Sequence, residues 1–196
     1  MKEGQLSIAP LTAEDAGNRV ELSAKAAAPA EWKDFAHAAM SAQWKLAAPS
    51  LDKIVGLPFK LSGSLAGSGS ASLKDQSLEN FSATLQGLGL GVDDHQLKSL
   101  DLNAKGDLTA IGFDVKALAT AGEGQLDAKG DVSMAAGKQS RVQWKLVLPR
   151  PDELAKSLKL ALPPDITTGE VKADGSLLFD LAQLKAQKFD EAKGFG

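Results

Sequence analysis

Few side chains of this 196-residue chain have the types and spacing that chemistry requires. The chain has no cysteine, and neither of its histidines, His37 and His95, has a second histidine nearby in the sequence. The carboxylates of Asp93-Asp94-His95 could bind a hard divalent cation, but such residues are also typical of a solvated turn. We therefore predict no catalytic residue, no metal and no cofactor, and we do not expect an enzyme.

The glycines do not form a nucleotide-binding motif either. Gly-x-Gly pairs occur at 67–69, 87–89 and 122–124, but none completes G-x-G-x-x-G, and no G-x-S-x-G is present. We interpret them as strand and turn glycines. We predict that the 67–69 pair forms a turn between two strands.

Composition argues against nucleic acid as a partner. The formal net charge is −3, and the lysines alternate with acids instead of clustering. A phosphate-binding surface requires a basic patch. No stretch approaches the ~20 apolar residues that span a bilayer. Because residues 192–194 repeat an Ala-Lys-Gly sequence found earlier in the chain, we expect a fragment of a longer protein.

The elements that must position any site are β-strands. Between residues 100 and 148, apolar and polar residues alternate with a period of two in the segments 100–108, 125–134 and 142–148. This period puts all apolar side chains of a strand on one face. The same alternation occurs in 5–9, 19–25, 41–46, 57–74, 81–92 and 171–177, with a phase shift at Gly87 that predicts a bulge.

Two short helices interrupt the strands in this interpretation. Apolar residues at helical spacing after Pro29 predict an amphipathic helix over 29–40, which would dock on the end of the sheet. Pro151-Asp152-Glu153 is a typical helix start and predicts a second helix over 151–161. The predicted fold is thus mostly β, an antiparallel sheet curled into an elongated groove, with one to three short helices.

The candidate site is the apolar side of this sheet. Its predicted lining residues are Leu61, Leu65, Leu73, Leu100, Leu102, Leu108, Leu126, Val132, Met134, Val142, Trp144, Leu146, Val171 and Leu177.

Two parts of the chain resemble each other. Gln43-Trp44-Lys45-Leu46 reappears as Gln143-Trp144-Lys145-Leu146, and at the same offset Pro49 corresponds to Pro149 and Asp52 to Asp152. We interpret this as an internal repeat of strands and one short helix, in which the apolar face continues from one unit to the next. The prediction is one elongated domain, 1–196, with approximate units 5–98 and 99–196.

Most of the chain resembles, in spacing and composition, the repeating units of the AsmA-like family, most closely its TamB branch. The resemblance rests on Trp144-Lys145-Leu146, on Gly169 to Leu177, and on the Leu-x-Ala-Lys-Gly strands at 102–106 and 126–130. It implies a periplasmic segment of an envelope-spanning protein that is anchored to the inner membrane elsewhere. It also implies a hydrophobic β-groove that carries phospholipids between the inner and outer membranes, and a role in outer-membrane protein assembly.

Two functions remain open from the residues themselves. In the first, the apolar face is a lipid-conducting groove, whose partners are phospholipid acyl chains and neighbouring repeats of the same chain. In the second, the apolar faces pack on each other and the sheet edges pair with partner proteins, such as outer-membrane assembly proteins. Alternation alone is compatible with both, because a closed sandwich produces it as well.

Overall fold

The described residues of the protein form one open antiparallel sheet of ten strands. The computed structural model describes residues 4–29, 31–54, 56, 58–93, 95–135, 137–160 and 169–181. The strands are β1 Gln5–Asp15, β2 Asn18–Ala27, β3 Met40–Ala48, β4 Leu61–Lys74, β5 Ser77–Val92, β6 His95–Gly106, β7 Ala110–Ala119, β8 Gln125–Ser133, β9 Ser140–Leu148 and β10 Val171–Phe179.

Each strand pairs with the next one along the chain, in the order β1 to β10, and every pair is antiparallel. The sheet does not close into a barrel, because β1 and β10 do not pair with each other. The predicted mostly-β antiparallel fold is therefore confirmed.

The register places the apolar phase of every strand on the same side. Residues directly opposite each other in an antiparallel pair share a face. Leu22 lies opposite Trp44, which lies opposite Gly69. In the second half, Val115 lies opposite Leu102 on one side and Ala128 on the other. One face of the sheet is consequently apolar from β1 to β10.

The opposite face carries charges of alternating sign. One row of residues that lie directly opposite one another runs from β6 to β10 and consists of Asp101, Lys116, Asp127, Lys145 and Asp174. Opposite charges across a strand pair stabilise that register by about 0.2–1 kcal/mol each. The alternation of charge along this row is compatible with the observed register.

The turn predicted at residues 67–69 is wrong, because β4 runs without interruption through both glycines. Trp44 of β3 lies over them: a Cβ on Gly69 would collide with the indole nitrogen Nε1, and a Cβ on Gly67 would lie 3.3 Å from the far edge of the ring. Both positions require glycine because the Trp44 ring lies over them. The chain instead reverses direction at Asp75–Gln76, where both residues have positive φ.

Trp144 has a corresponding arrangement on β9. It lies opposite Gly175 of β10, where a Cβ would be 3.0–3.2 Å from the indole ring. Strands β3 and β9 begin and end at positions 100 residues apart, 40–48 and 140–148. Each is followed by a short helix, Leu51–Lys53 after β3 and Pro151–Ser157 (α1) after β9.

The predicted bulge lies slightly beyond Gly87. The register moves from Leu88 opposite Ser64 to Gly91 opposite Ser62, so that Gly89 and Leu90 face Gly63 alone. Gly63 and Gly89 both have positive φ, which an L side chain rarely adopts. The boundary predicted between the two repeat units, 98/99, falls within β6 and not in a connection.

Both predicted helices are shorter than expected. The first is a 3-10 helix over Trp32–His37, because strand pairing extends to both sides of it: the Ala27 N–H donates to the Ala39 carbonyl, and Met40 begins β3. The second, α1, ends at Ser157, and Lys159 has a positive φ that stops its continuation. Residue 161, the last of the predicted segment, lies outside the described residues.

Close packing is found at the end of the sheet where the odd-numbered strands finish. Leu51 of the helix after β3 is buried beside Ala48. Next to α1, a 3-10 helix at Ala121–Glu123 is held by Arg150, whose guanidinium lies 3.0 Å from Glu153 and 3.5 Å from Glu123. These contacts stabilise the connections between strands. Within the described residues, they do not cover the middle of the sheet.

The β6–β7 connection depends on an ionised carboxylate. Asp107 Oδ1 accepts hydrogen bonds from the hydroxyl of Thr109 (2.6 Å), the Thr109 N–H (2.6 Å) and the Ala110 N–H (2.9 Å). These bonds, the hydroxyl first, hold the pKa of Asp107 below its ordinary value of 3.8.

We expect Asp107→Ala to lower the thermal midpoint at neutral pH. Because the folded-state pKa is depressed, the stabilisation is present above pH 3.8 and is lost as the pH falls through the folded-state pKa. The difference between wild type and variant should therefore shrink on acidification. Thermal melts across this range test it, and a difference that stays constant at acid pH would contradict the assignment.

Candidate functional site

The candidate site is the apolar face of the sheet. We define it by the apolar-phase residues of all ten strands. They include Leu6, Ile8, Leu11, Val20, Leu22, Trp44, Leu46, Leu65, Phe81, Leu85, Leu90, Leu97, Leu100, Leu102, Ile111, Phe113, Val115, Leu126, Val132, Val142, Trp144, Leu146, Val171, Ala173 and Leu177.

Among the described residues, no second layer covers this face. Leu126 is 38% exposed, Trp144 36% and Leu177 56%. The buried hydrophobic residues are instead Ala38, Ala48, Leu51 and Ala155, at or beyond the strand ends. The solvent-accessible surface of the chain is 13989 Å², whereas a compact protein of this mass exposes about 8,800 Å².

The apolar face is large by the standard of protein surfaces. Ten strands at ~4.8 Å spacing span roughly 45 Å, and strands of nine or so residues run about 30 Å. Contiguous apolar patches on soluble monomers rarely exceed a few hundred Å², and larger ones mark binding surfaces. This face, of about 1,400 Å², is therefore the feature from which function must be argued.

The structure places the predicted lining residues on this face, with two exceptions. Leu108 lies in the connection after β6, which ends at Gly106, and Met134 follows the last residue of β8. Both are well exposed, at 56% and 43%. The alternation continues through both residues in the sequence. Leu108 lies in the β6–β7 connection, whereas the Met134 N–H still donates to the Thr109 carbonyl (2.8 Å) just beyond the end of β8.

Strand β7 supplies residues that we did not predict. Ile111, Phe113 and Val115 alternate with polar residues in the same way as their neighbours, and they lie opposite β6 and β8 on the apolar face. Phe81 and Leu85 of β5 belong to the face as well. The period-two signal that identified the other strands was sufficient to find all of them.

The apolar face offers no acid–base or metal chemistry in the described strands. Away from strand ends and bulges, its residues are apolar or glycine. The described residues contain no cluster of three or more metal-ligating side chains. In the sequence cluster considered above, Asp93 Oδ1 accepts a hydrogen bond from the Lys60 N–H, as turn residues do, and Asp94 lies outside the described residues.

Two shallow depressions, of about 570 and 500 Å³, lie on the polar face. The first is lined by Lys105, Lys129 and Arg141 together with Asp114 and Asp131. Charges of both signs alternate there, so no single-sign field recruits an ion. Neither depression lies on the apolar face, which is an open surface and not an enclosed cavity.

No helix within the described ranges combines the length and apolarity that crossing a membrane requires. Comparison of the chain with family models, with curated proteins and with solved structures gave no match.

Proposed function

We propose that the apolar face binds phospholipid acyl chains. In this proposal the chain is a periplasmic segment of an envelope-spanning protein, and its sheet carries phospholipids between the inner and outer membranes, as its resemblance to the AsmA-like family implies. The observation that carries the proposal is the apolar face itself, which extends over ten strands without a covering layer in the described residues.

The energetics favour such a ligand. Burying an acyl chain gains about 0.8 kcal/mol per methylene. Half-exposed side chains such as Leu126 and Trp144 still offer apolar surface that a ligand would remove from water. A surface of aliphatic residues without polar anchors binds the chain without fixing its position, which suits a ligand that has to slide.

The matched positions of β3 and β9 support an internal repeat. Both strands carry a Trp-Lys-Leu sequence, place the indole opposite a glycine, and continue into a short helix. Stacked units of this kind would extend the apolar face in the direction across the strands. Lipid would then move from strand to strand, and not along any one of them.

The alternative function is an interaction module. It rests on a different observation. In the described part of the chain, each of the two outer strands, β1 and β10, pairs with one neighbouring strand and has one open edge. Open edges recruit partner strands. Binding of partner proteins without bound lipid would favour this alternative.

Tryptophan fluorescence offers a direct test of acyl-chain binding. In a Trp32→Phe background, phospholipid with brominated acyl chains should quench the fluorescence of Trp44 and Trp144, because both indoles lie on the apolar face. Removing either indole as Trp44→Phe or Trp144→Phe should leave the other quenched.

The matched control is the same phospholipid without bromine, which should bind without quenching. Equal fluorescence with brominated and unbrominated lipid would count against the proposal. Quenching confined to one of the two indoles would restrict the lipid path to that half of the sheet.

A further inference from the structure

The sheet is apolar on one side only, and this restricts how copies of the chain can associate. On the polar face, the row from Asp101 to Asp174 places a charge in every strand from β6 to β10. On the apolar face, side chains in both halves of the sheet remain accessible to water, such as Leu22 (45% exposed) and Trp144 (36%). The described sheet therefore has one extended apolar surface and not two.

The area of this surface exceeds what a stable dimer needs. If the apolar faces of two copies packed on each other, they would remove about 2,800 Å² from water, twice the area of one face. Specific protein interfaces bury about 1,200–2,000 Å², and obligate homodimers bury more than about 2,000 Å². Even if the twist of the sheets limited contact to half of each face, about 1,400 Å² would be buried.

The relief of the apolar face suits packing against a second sheet. Sheets in β-sandwiches pack face to face about 10 Å apart, with side chains that interdigitate. Trp44 lies opposite Gly69, and Phe113 lies between Ala104 and Gly130, so that large side chains stand beside low positions. The large side chains of a second copy could fill these low positions. Away from strand ends and bulges the face carries no charge, so two copies do not repel each other there.

We propose that, in the absence of lipid, two copies of the chain form a closed dimer through their apolar faces. Both copies contribute the same surface, so the interface is isologous and is complete with two copies. The charged faces stay in water and offer no equivalent surface to a third copy.

This dimer does not require a lipid ligand, so it can hold or fail separately from acyl-chain binding. Because acyl chains would occupy the same face, phospholipid should convert the dimer into monomers. That expectation alone rests on the proposed function.

Sedimentation equilibrium of the full chain, freed of lipid, tests the proposal. The mass should approach twice the 20.4 kDa of one chain as the concentration rises. Leu85→Asp places a carboxylate on the apolar face in the middle of β5, opposite Gly67 and Leu102. It should weaken the dimer at least about a hundredfold, because the interface would bury an unpaired charge. The matched control is Thr84→Asp, the same charge on the polar face, which should leave the dimer unchanged.

The accessibility of tryptophan shows which surface forms the dimer. In a Trp32→Phe background, acrylamide should quench Trp44 and Trp144 severalfold less in the dimer than in the monomer, because both indoles lie on the apolar face. This measurement decides the matter if circular dichroism shows that Leu85→Asp is not folded.

Three results would overturn the proposal. The first is a chain that stays monomeric at every concentration, as expected if another occupant covers the face. The second is a dimer that Leu85→Asp and Thr84→Asp weaken equally. The third is a dimer in which both indoles are as accessible as in the monomer, as expected if the copies pair through strand edges.

Discussion

Leu126→Asp is expected to leave the protein folded and to abolish lipid contact across the neighbouring strands. Leu126, the second residue of β8, is 38% exposed, so water can reach a carboxylate at that position. The cost should be the lost partial burial of a leucine, about 1–2 kcal/mol. A charge buried in a closed core would cost about 3–5 kcal/mol or more.

The lipid effect should be large because the carboxylate would stand directly in the proposed path. Leu100, Ala117 and Leu126 lie opposite one another on β6, β7 and β8. A photocrosslinking residue at position 100 is therefore about 10 Å from position 126. Crosslinking to phospholipid from position 100 should fall severalfold in Leu126→Asp.

The matched control is Gln125→Asp, which introduces the same charge at the adjacent residue but on the polar face. It should change neither stability nor crosslinking appreciably. Collapse of the fold in Leu126→Asp would show that the apolar face is covered. Undiminished crosslinking would show that lipid does not follow this row of residues.

Gly69→Ala is expected to destabilise the sheet strongly. Its Cβ would collide with Trp44 Nε1 and would lie 2.5 Å from the Ser82 carbonyl oxygen. Backbone cannot move aside as a flexible side chain can, so we expect a loss of about 1–3 kcal/mol in the free energy of unfolding. Urea denaturation followed by circular dichroism measures it.

Two glycines provide graded controls for this variant. Gly112→Ala on the polar face would meet mainly the flexible Asp131 side chain, at 3.1 Å, and should stay within about 1 kcal/mol of wild type. Gly175→Ala would meet only the Trp144 ring at 3.0–3.2 Å, so its cost should be intermediate. Similar costs at all three positions would mean that the close approach at Gly69 is not specific.

The strands could be predicted from sequence because the period of two is imposed by geometry. Because one face of the sheet is apolar and the other is polar, the alternation within a strand shows which of its residues lie on each face. Leu126 to Val132 in β8 is an example. Antiparallel pairing of consecutive strands then puts every apolar phase on one side. The residues of the apolar face, including Trp144 and Leu102, followed from the same rule.

The errors arose where contacts between strands decide the conformation. The glycine pair at 67–69 is typical of a turn, but in the structure Trp44 and the next strand leave room only for glycine in the middle of β4. The helix predicted over 29–40 loses its last residues to pairing with β2 and β4, where Met40 lies opposite Ala26 and Leu73. The pattern within one sequence segment does not show which residues of another strand will contact it.

Mass spectrometry of co-purifying lipids tests the central claim most directly. The wild-type chain, purified from bacterial cells without added lipid, should carry phospholipid in stoichiometric amount, and far more of it than an equal amount of an unrelated β-sandwich treated identically. Gln125→Asp should retain this lipid, and Leu126→Asp should lose most of it. A wild-type chain that carries no more phospholipid than the β-sandwich would contradict the account.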